Sequence, residues 1–313
     1  MRKIKSTLFF SWQQTKIVSF LFLMTCGYIG ASGQQDPIYA QYLINPLTIN
    51  PAYAGINDQF SARIQYRTQW AGIEANPKTF NFSGNMSILQ NKGGVGLMVM
   101  HDQLGDIRNT ELQASFAYKI KLENKTFSFG MQAGFLNSKN DPSLLTIRDP
   151  GDPYFAPYSE MRFNVGAGVM LTSEKYRFGL SVPRLLPTTF KTSNGSIELY
   201  QQHYYLFGSY NFILNEQWTF KPSTLIRGTK GSPFSVDLNA TFIYHNNFSG
   251  GIFTRSFNSY GVLMQVLVKK FNLAYVFELP GSSTSSLQFT SHEITLGITT
   301  GLFTYHSQVP KVF

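Results

Sequence analysis

Cysteine is all but missing. The single one in 313 residues, Cys26, falls in an apolar stretch near the N-terminus, so the rest of the chain has neither a disulfide framework nor a thiolate zinc site. Charge is sparse, at 14% of residues, and the basic side chains are scattered singly. They form no patch or motif that would hold nucleic acid, and that class of partner is excluded. Nor is there an uninterrupted apolar run of the roughly 20 residues that a spanning helix needs. What is there is an apolar fraction of 43% and an aromatic fraction of 15%, at a mean hydropathy of −0.11. A chain that crosses lipid must satisfy its backbone polar groups internally, as apolar helices or as a closed barrel, and only the barrel tolerates so polar a sequence.

The first 33 residues read as a signal peptide. Arg2, Lys3, Lys5 and Lys16 precede an apolar stretch at 17–31, interrupted by Ser19 and Thr25, and Ala31-Ser32-Gly33 supplies a small-x-small site. Export with cleavage near Gly33 is the expectation. Thr25 before Cys26 argues against a lipoprotein. Removing the leader takes four of the 26 basic residues and none of the 17 acidic ones, so the net charge falls from +9 to 22 − 17, or +5.

From residue 59 onward the dominant signal is strict alternation, the mark of pleated strands whose successive side chains face opposite ways. Val236, Leu238, Ala240, Phe242 and Tyr244 make one face of a strand, and Asp237, Asn239 and Thr241 the other. The pattern recurs in fourteen segments: 59–68, 79–89, 94–102, 110–122, 126–136, 162–172, 176–183, 203–213, 217–227, 234–245, 248–256, 260–269, 271–278 and 291–303. A strand tilted near 45° needs about 9 to 11 residues to cross hydrocarbon, and most of these segments qualify. Connections alternate in length, as in outer-membrane barrels. The even ones, 90–93, 123–125, 173–175, 215–217, 246–247 and 270, are tight, whereas the odd ones, including 69–78, 137–161, 184–202 and 279–290, are long, with 257–259 the short exception. The expected fold is therefore all-β: a transmembrane antiparallel β-barrel of about fourteen strands over 59–313, after an irregular N-terminal segment at 34–58.

A soluble two-sheet sandwich also alternates, but its outward faces would carry charge. Here the polar faces carry mostly Gly, Ser, Thr, Asn and Gln, and the apolar faces are rich in Phe. Tyr66, Trp70, Tyr118, Tyr176, Trp218 and Tyr275 stand near strand ends, where interfacial girdles form. Charged positions on the lumen phase are few: Arg63, Arg67, Lys119, Lys121 and Asp237. Catalysis is not expected. His101, His203, His245 and His292 have no nucleophile setting, and the adjacent Ser291 and His292 point to opposite faces of one strand. No metal or other cofactor is expected.

Between leader and barrel run Gln35, Asp36, Pro37, Tyr39, Gln41, Tyr42 and Asn45, then Asn50-Pro51-Ala52-Tyr53-Ala54-Gly55. X-Pro bonds and the Asn and Gly positions make this stretch extended and turn-rich. Together with Tyr66, Arg67, Gln69, Trp70 and Gly72, and with Ser291-His292-Glu293-Ile294 opening the last strand, it resembles the signature of the PorP/SprF family. That resemblance implies an outer-membrane component of the type IX secretion system. The function implied is secretion or cell-surface attachment of cargo bearing C-terminal sorting domains, some of it gliding adhesins. The partners implied are other type IX secretion proteins, the cargo and outer-membrane lipid. A passive porin or hydrophobic-solute uptake channel is the alternative. Residues 34–58 are expected to be either a lumen plug or a periplasmic tail. The long loop carrying Asp141, Asp149, Asp152, Tyr154, Phe155 and Tyr158 is the expected cargo contact, since recognition residues gather on loops of rigid scaffolds. Asp149 to Asp152 reads as a solvated turn, with too few acids for a calcium loop.

Overall fold

The computed structural model describes residues 40–57, 59–141, 157–192, 195–230, 232–281 and 289–301, with only the backbone at Gln41, 188–192 and 195–200. The leader, the motif positions Gln35, Asp36, Pro37 and Tyr39, and the loop positions Asp149, Asp152, Tyr154 and Phe155 lie outside the described residues.

Three short 3-10 turns come first: η1 (Ala40–Leu43), η2 (Pro46–Thr48) and η3 (Pro51–Tyr53). The strands follow as β1 (Phe60–Thr68), β2 (Lys78–Ile88), β3 (Gly93–Leu104), β4 (Ile107–Leu122), β5 (Lys125–Asn140), β6 (Tyr158–Ser173) and β7 (Tyr176–Val182). Next are β8 (Thr188–Thr192), β9 (Gly195–Tyr200), β10 (His203–Tyr210), β11 (Phe212–Ile213) and β12 (Trp218–Thr229). The chain ends with β13 (Ser235–Tyr244), β14 (Phe248–Arg255), β15 (Ser259–Val268), β16 (Phe271–Pro280) and β17 (Ser291–Thr300).

Each barrel strand pairs antiparallel with the next, β7 with β10 across the intervening β8 and β9, and β1 pairs with β17 from Phe60↔Thr300 to Thr68↔His292, which closes the sheet. Counting β10 with its continuation β11 as one stave gives a fourteen-stranded barrel; β8 and β9 form a separate hairpin. Closure leaves no unpaired sheet edge, as lipid demands.

The faces are inverted relative to a water-soluble protein. Along β1, Gln65 is fully buried, while its neighbours Ile64 and Tyr66 are 45% and 44% exposed. The same holds around the barrel: Asn81, Gln113, Gln132, Asn239 and Thr295 are buried, and Phe82, Leu112, Phe129, Leu238 and Leu296 face out. Polar groups inside and apolar groups outside suit a lipid surround and a lined lumen. Outward aromatics cluster toward the end that holds the β1 start and the β17 finish. Tyr210 and Phe212 (4.5 Å), Phe220 and Phe242 (4.9 Å) and Trp218 and Tyr244 (4.7 Å) pack ring on ring there.

Two connections depart from the sequence reading. The β3–β4 link is a tight turn at Gly105-Asp106, because pairing continues to Leu104↔Ile107 and leaves no longer loop. Within 184–202, the chain forms the β8–β9 hairpin, which joins no barrel strand. The strands β5 and β6 also run on to Asn140↔Tyr158, several residues beyond the alternating core of each segment.

A charge on the outward face should be far more costly than one on the lumen face. Leu296→Arg, in mid-strand, is expected to lose about 2–4 kcal/mol of stability in lipid vesicles. Ser249→Arg, beside the lumen cavity, should cost much less; equal losses in urea titrations would contradict the assigned faces.

Candidate functional site

The candidate site is the lumen, and residues 40–57 lie in it. Pro46 and Pro51 each occupy the first position of a 3-10 turn, where a missing N–H costs nothing. Asn50 caps η3: its Oδ1 accepts from the Ala52 N–H at 2.9 Å, while its Nδ2 donates to the Val169 carbonyl at 3.1 Å. The short, proline-set turns make a compact rod narrow enough to sit inside fourteen strands, whose lumen is wider than side chains alone fill.

At the end that holds the β1 finish and the β17 start, the Ala40 N–H donates to Glu293 Oε1 at 3.1 Å. Glu293 is paired with Arg67 Nε at 3.1 Å, Arg67 reaches Glu278 at 3.7 Å, and Arg255 reaches Glu278 at 3.5 Å and Asp237 at 3.9 Å. The cluster joins β1, β13, β14, β16 and β17 in one buried network. The Tyr42 hydroxyl donates to Asp237 Oδ2 at 3.4 Å and accepts from Asn239 Nδ2 at 3.1 Å. Burial first, and the Asp237 carboxylate second, hold the Tyr42 phenol far above its ordinary value, so it stays protonated as a donor. A separate bidentate pair, Arg184 to Glu111 at 2.6 and 3.0 Å, closes the lumen wall near β4.

Midway, Asn45 Nδ2 donates to Ser83 Oγ at 2.7 Å, and the Ser181 hydroxyl donates to the Ile49 carbonyl at 2.6 Å. Lower down, the Gly55 N–H donates to Asn85 Oδ1 at 3.1 Å, and Lys119 Nζ donates to the Gly55 carbonyl at 2.5 Å and to Ser87 Oγ at 2.9 Å. Apolar contacts fill between these bonds. Tyr42 and Ile49 pack on Tyr205, Phe207 and Leu225; Ala40 and Ile44 pack on Phe253, Leu263 and Val276; Leu47, Tyr53 and Ala54 pack on Ala117 and Met170.

Wall glycines permit the closest approach. A Cβ at Gly130 would overlap the Ala52 nitrogen, one at Gly94 the Ala54 carbonyl oxygen, and one at Gly168 the Asn50 side chain. Here backbone lies on backbone. Gly55 itself has φ +64°, and a Cβ there would come within 2.6 Å of the Met86 carbonyl oxygen.

Between the segment and the end that holds the β1 start and the β17 finish is a cavity of about 790 Å³. Arg63, Lys121, Arg177 and Lys221 line it, with Tyr53, Phe207, Ile243 and Leu263. The Arg177 guanidinium stands 5.3 Å from the Tyr53 ring centroid, a cation–π contact worth about 0.5–2 kcal/mol.

The sequence-predicted residues divide cleanly. Tyr42, Asn45, Asn50, Pro51, Ala52, Tyr53, Ala54, Gly55 and Arg67 meet in the lumen. Tyr66 and Trp70 face out, and Trp70 and Gly72 hold positive φ in the turn after β1, where Gln69 N–H donates to the Pro77 carbonyl at 2.9 Å. Of the loop residues, Asp141 and Tyr158 flank the end of the β5–β6 hairpin. The lumen charges Arg63, Lys119 and Asp237 are buried, and Lys121 reaches the cavity. His292 lies outward, bonded to the Tyr275 hydroxyl at 2.7 Å and the Thr290 hydroxyl at 2.9 Å, while Ser291 is buried. His101 bonds Thr110 at 2.9 Å. Sequence reasoning missed the lumen-facing apolar residues Phe207, Leu225, Ile243, Phe253, Leu263 and Val276, and the wall glycines. Their signal was apolar or Gly residues on the otherwise polar phase.

A family model described as "Type IX secretion system membrane protein PorP/SprF" matches residues 31–298. Among solved structures, the chain is similar to the CymD monoaromatic hydrocarbon channel at 12% identity and TM-score 0.51, with 89% of this chain and 97% of that one covered. It also matches the Ralstonia pickettii toluene transporter TbuX at 13% identity and TM-score 0.48, with 87% and 96% covered. At such identities the likeness to CymD shows the barrel fold alone. No curated protein matches the chain.

Gly130→Val should push η3 off the wall. Amides of 40–57 are then expected to exchange deuterium faster while strand amides stay protected; unchanged exchange would rule out the close packing. Lys119→Met strips the Gly55 carbonyl and Ser87 of a charged donor, an expected loss of about 1–3 kcal/mol in urea unfolding.

Proposed function

Because the chain belongs to the PorP/SprF family of type IX secretion system membrane proteins, we propose that it is the outer-membrane barrel through which that system secretes or retains cargo bearing a C-terminal sorting domain. Family and fold together make the chain an outer-membrane β-barrel and a membrane component of type IX secretion.

The observation that carries it is the contrast between a wide barrel and an occupied lumen. A passive channel needs a continuous aqueous path, whereas residues 40–57 are bonded to inward groups on β2, β4, β6, β7, β13 and β17. Acting as a plug, the segment frees the barrel to serve as a docking platform. Export by the leader at 1–33 would deliver the chain to the periplasm, with the β1 start, the β17 finish and the tight turns facing inward and the long loops outward. The 141–157 and 183–202 connections, the second carrying the β8–β9 hairpin, then stand at the cell surface, where cargo would be held.

Affinity purification from outer membranes should bring down secretion proteins or a surface cargo. Replacing 142–156 by a short Gly-Ser turn should abolish cargo display while the barrel still shifts on heating in gels. Recovery of the barrel alone, together with large ion conductance of the unaltered chain in planar bilayers, would favour an uptake channel instead.

A further inference from the structure

The lumen is electrically lopsided. In the half that holds the β1 finish, every inward arginine of the ion network meets a carboxylate: Arg67 with Glu293, Arg184 with Glu111, and Arg255 with Glu278. In the half that holds the β1 start, Arg63 and Arg177 are 8% and 6% exposed, and among the described residues neither has a carboxylate in ion-pair reach. The Nε of each has no hydrogen-bond partner there. Both line the same cavity, on opposite sides of the barrel by strand order, with Lys121 and Lys221 on the wall between them. The acidic groups on this cavity, Glu123 and Glu174, are exposed residues of the rim turns.

We propose that this cavity is a binding site for a small ligand that carries an oxyanion, a carboxylate or a phosphate, entering from the end where β1 starts and β17 finishes. Buried cations without a counter-charge are costly, and a bound anion removes that cost. The guanidinium fork matches the two oxygens of a carboxylate or phosphate, and an ammonium adds a point charge from the side. A cleft whose cations outnumber its carboxylates, which here stand only on the exposed rim, also concentrates anions. The volume of about 790 Å³ suits a small ligand, and Phe207, Ile243 and Leu263 offer an apolar wall for the part that carries no charge. This site is separate from the outer loops and does not depend on the identity of any cargo.

The test is calorimetric titration of the full-length chain, folded in detergent micelles, with two probes: inorganic phosphate and the peptide triaspartate. Saturable binding of at least one is expected, weakened about tenfold or more in the Arg63→Gln, Arg177→Gln double variant. A variant outside the cavity, Lys139→Gln, should bind within about twofold of the unaltered protein, as expected for an exposed charge at the far end of β5. Phosphate alone would identify a free anion as the source; tighter binding of triaspartate would identify an acidic peptide. Should the double variant fail to show the heat-modifiable band of a folded barrel, Arg177→Lys keeps the charge without the fork and should still weaken binding several-fold. Absence of saturable heat from both probes up to roughly 10 mM, a range that covers even weak sites, overturns the proposal. Unchanged affinity in the folded arginine variants overturns it equally.

Discussion

A buried polar group must have a partner, and this barrel hides its polar groups on the inside. Lipid takes the apolar face without difficulty. The lumen face, with Gln65, Asn81, Asp237 and Glu293 among its buried residues, needs either water or protein to complete its hydrogen bonds. Fourteen strands enclose more width than their own side chains bridge. Residues 40–57 supply the missing partners in one half of the barrel, where Glu293, Asp237 and Asn239 bond to η1. In the other half the cavity remains, and among the described residues Arg63 and Arg177, which face it, have no carboxylate in ion-pair reach.

The segment is held by two different kinds of contact. Hydrogen bonds from Ser83, Asn85, Lys119 and Ser181 fix its height and rotation, since each bond reads one specific atom of the rod. Wall glycines on β3, β5 and β6 fix its distance, because any side chain there would occupy the space of η3 and the residues after it. Neither kind would suffice alone. Bonds without close approach would leave gaps, and close packing without bonds would bury the carbonyls of Ile49 and Gly55 unpaired.

Much of the barrel was legible in the sequence because the signal is local. Alternation over nine or more residues assigns a strand and its two faces, and all fourteen segments coincide with staves to within a few residues. The β8–β9 hairpin was not legible, since its five- and six-residue strands lie inside a loop and pair only with each other. The lumen contacts were legible only in part. Resemblance picked out Asn45, Asn50, Tyr53 and Gly55, but their partners are 38 residues away for Asn45 and 119 for Asn50, and no periodicity links them. Likewise Phe207, Leu225 and Leu263 break the polar phase for a reason visible only once the segment that meets them is in place.

The bond from Ala40 to Glu293 spans 253 residues, and the same glutamate pairs with Arg67 on the first strand. It therefore cannot exist until the last strand has arrived at the seam. Sealing the cylinder and seating its N-terminal rod are one event, and an assembly intermediate with the seam open would present a cleft whose acidic and basic edges have yet to meet.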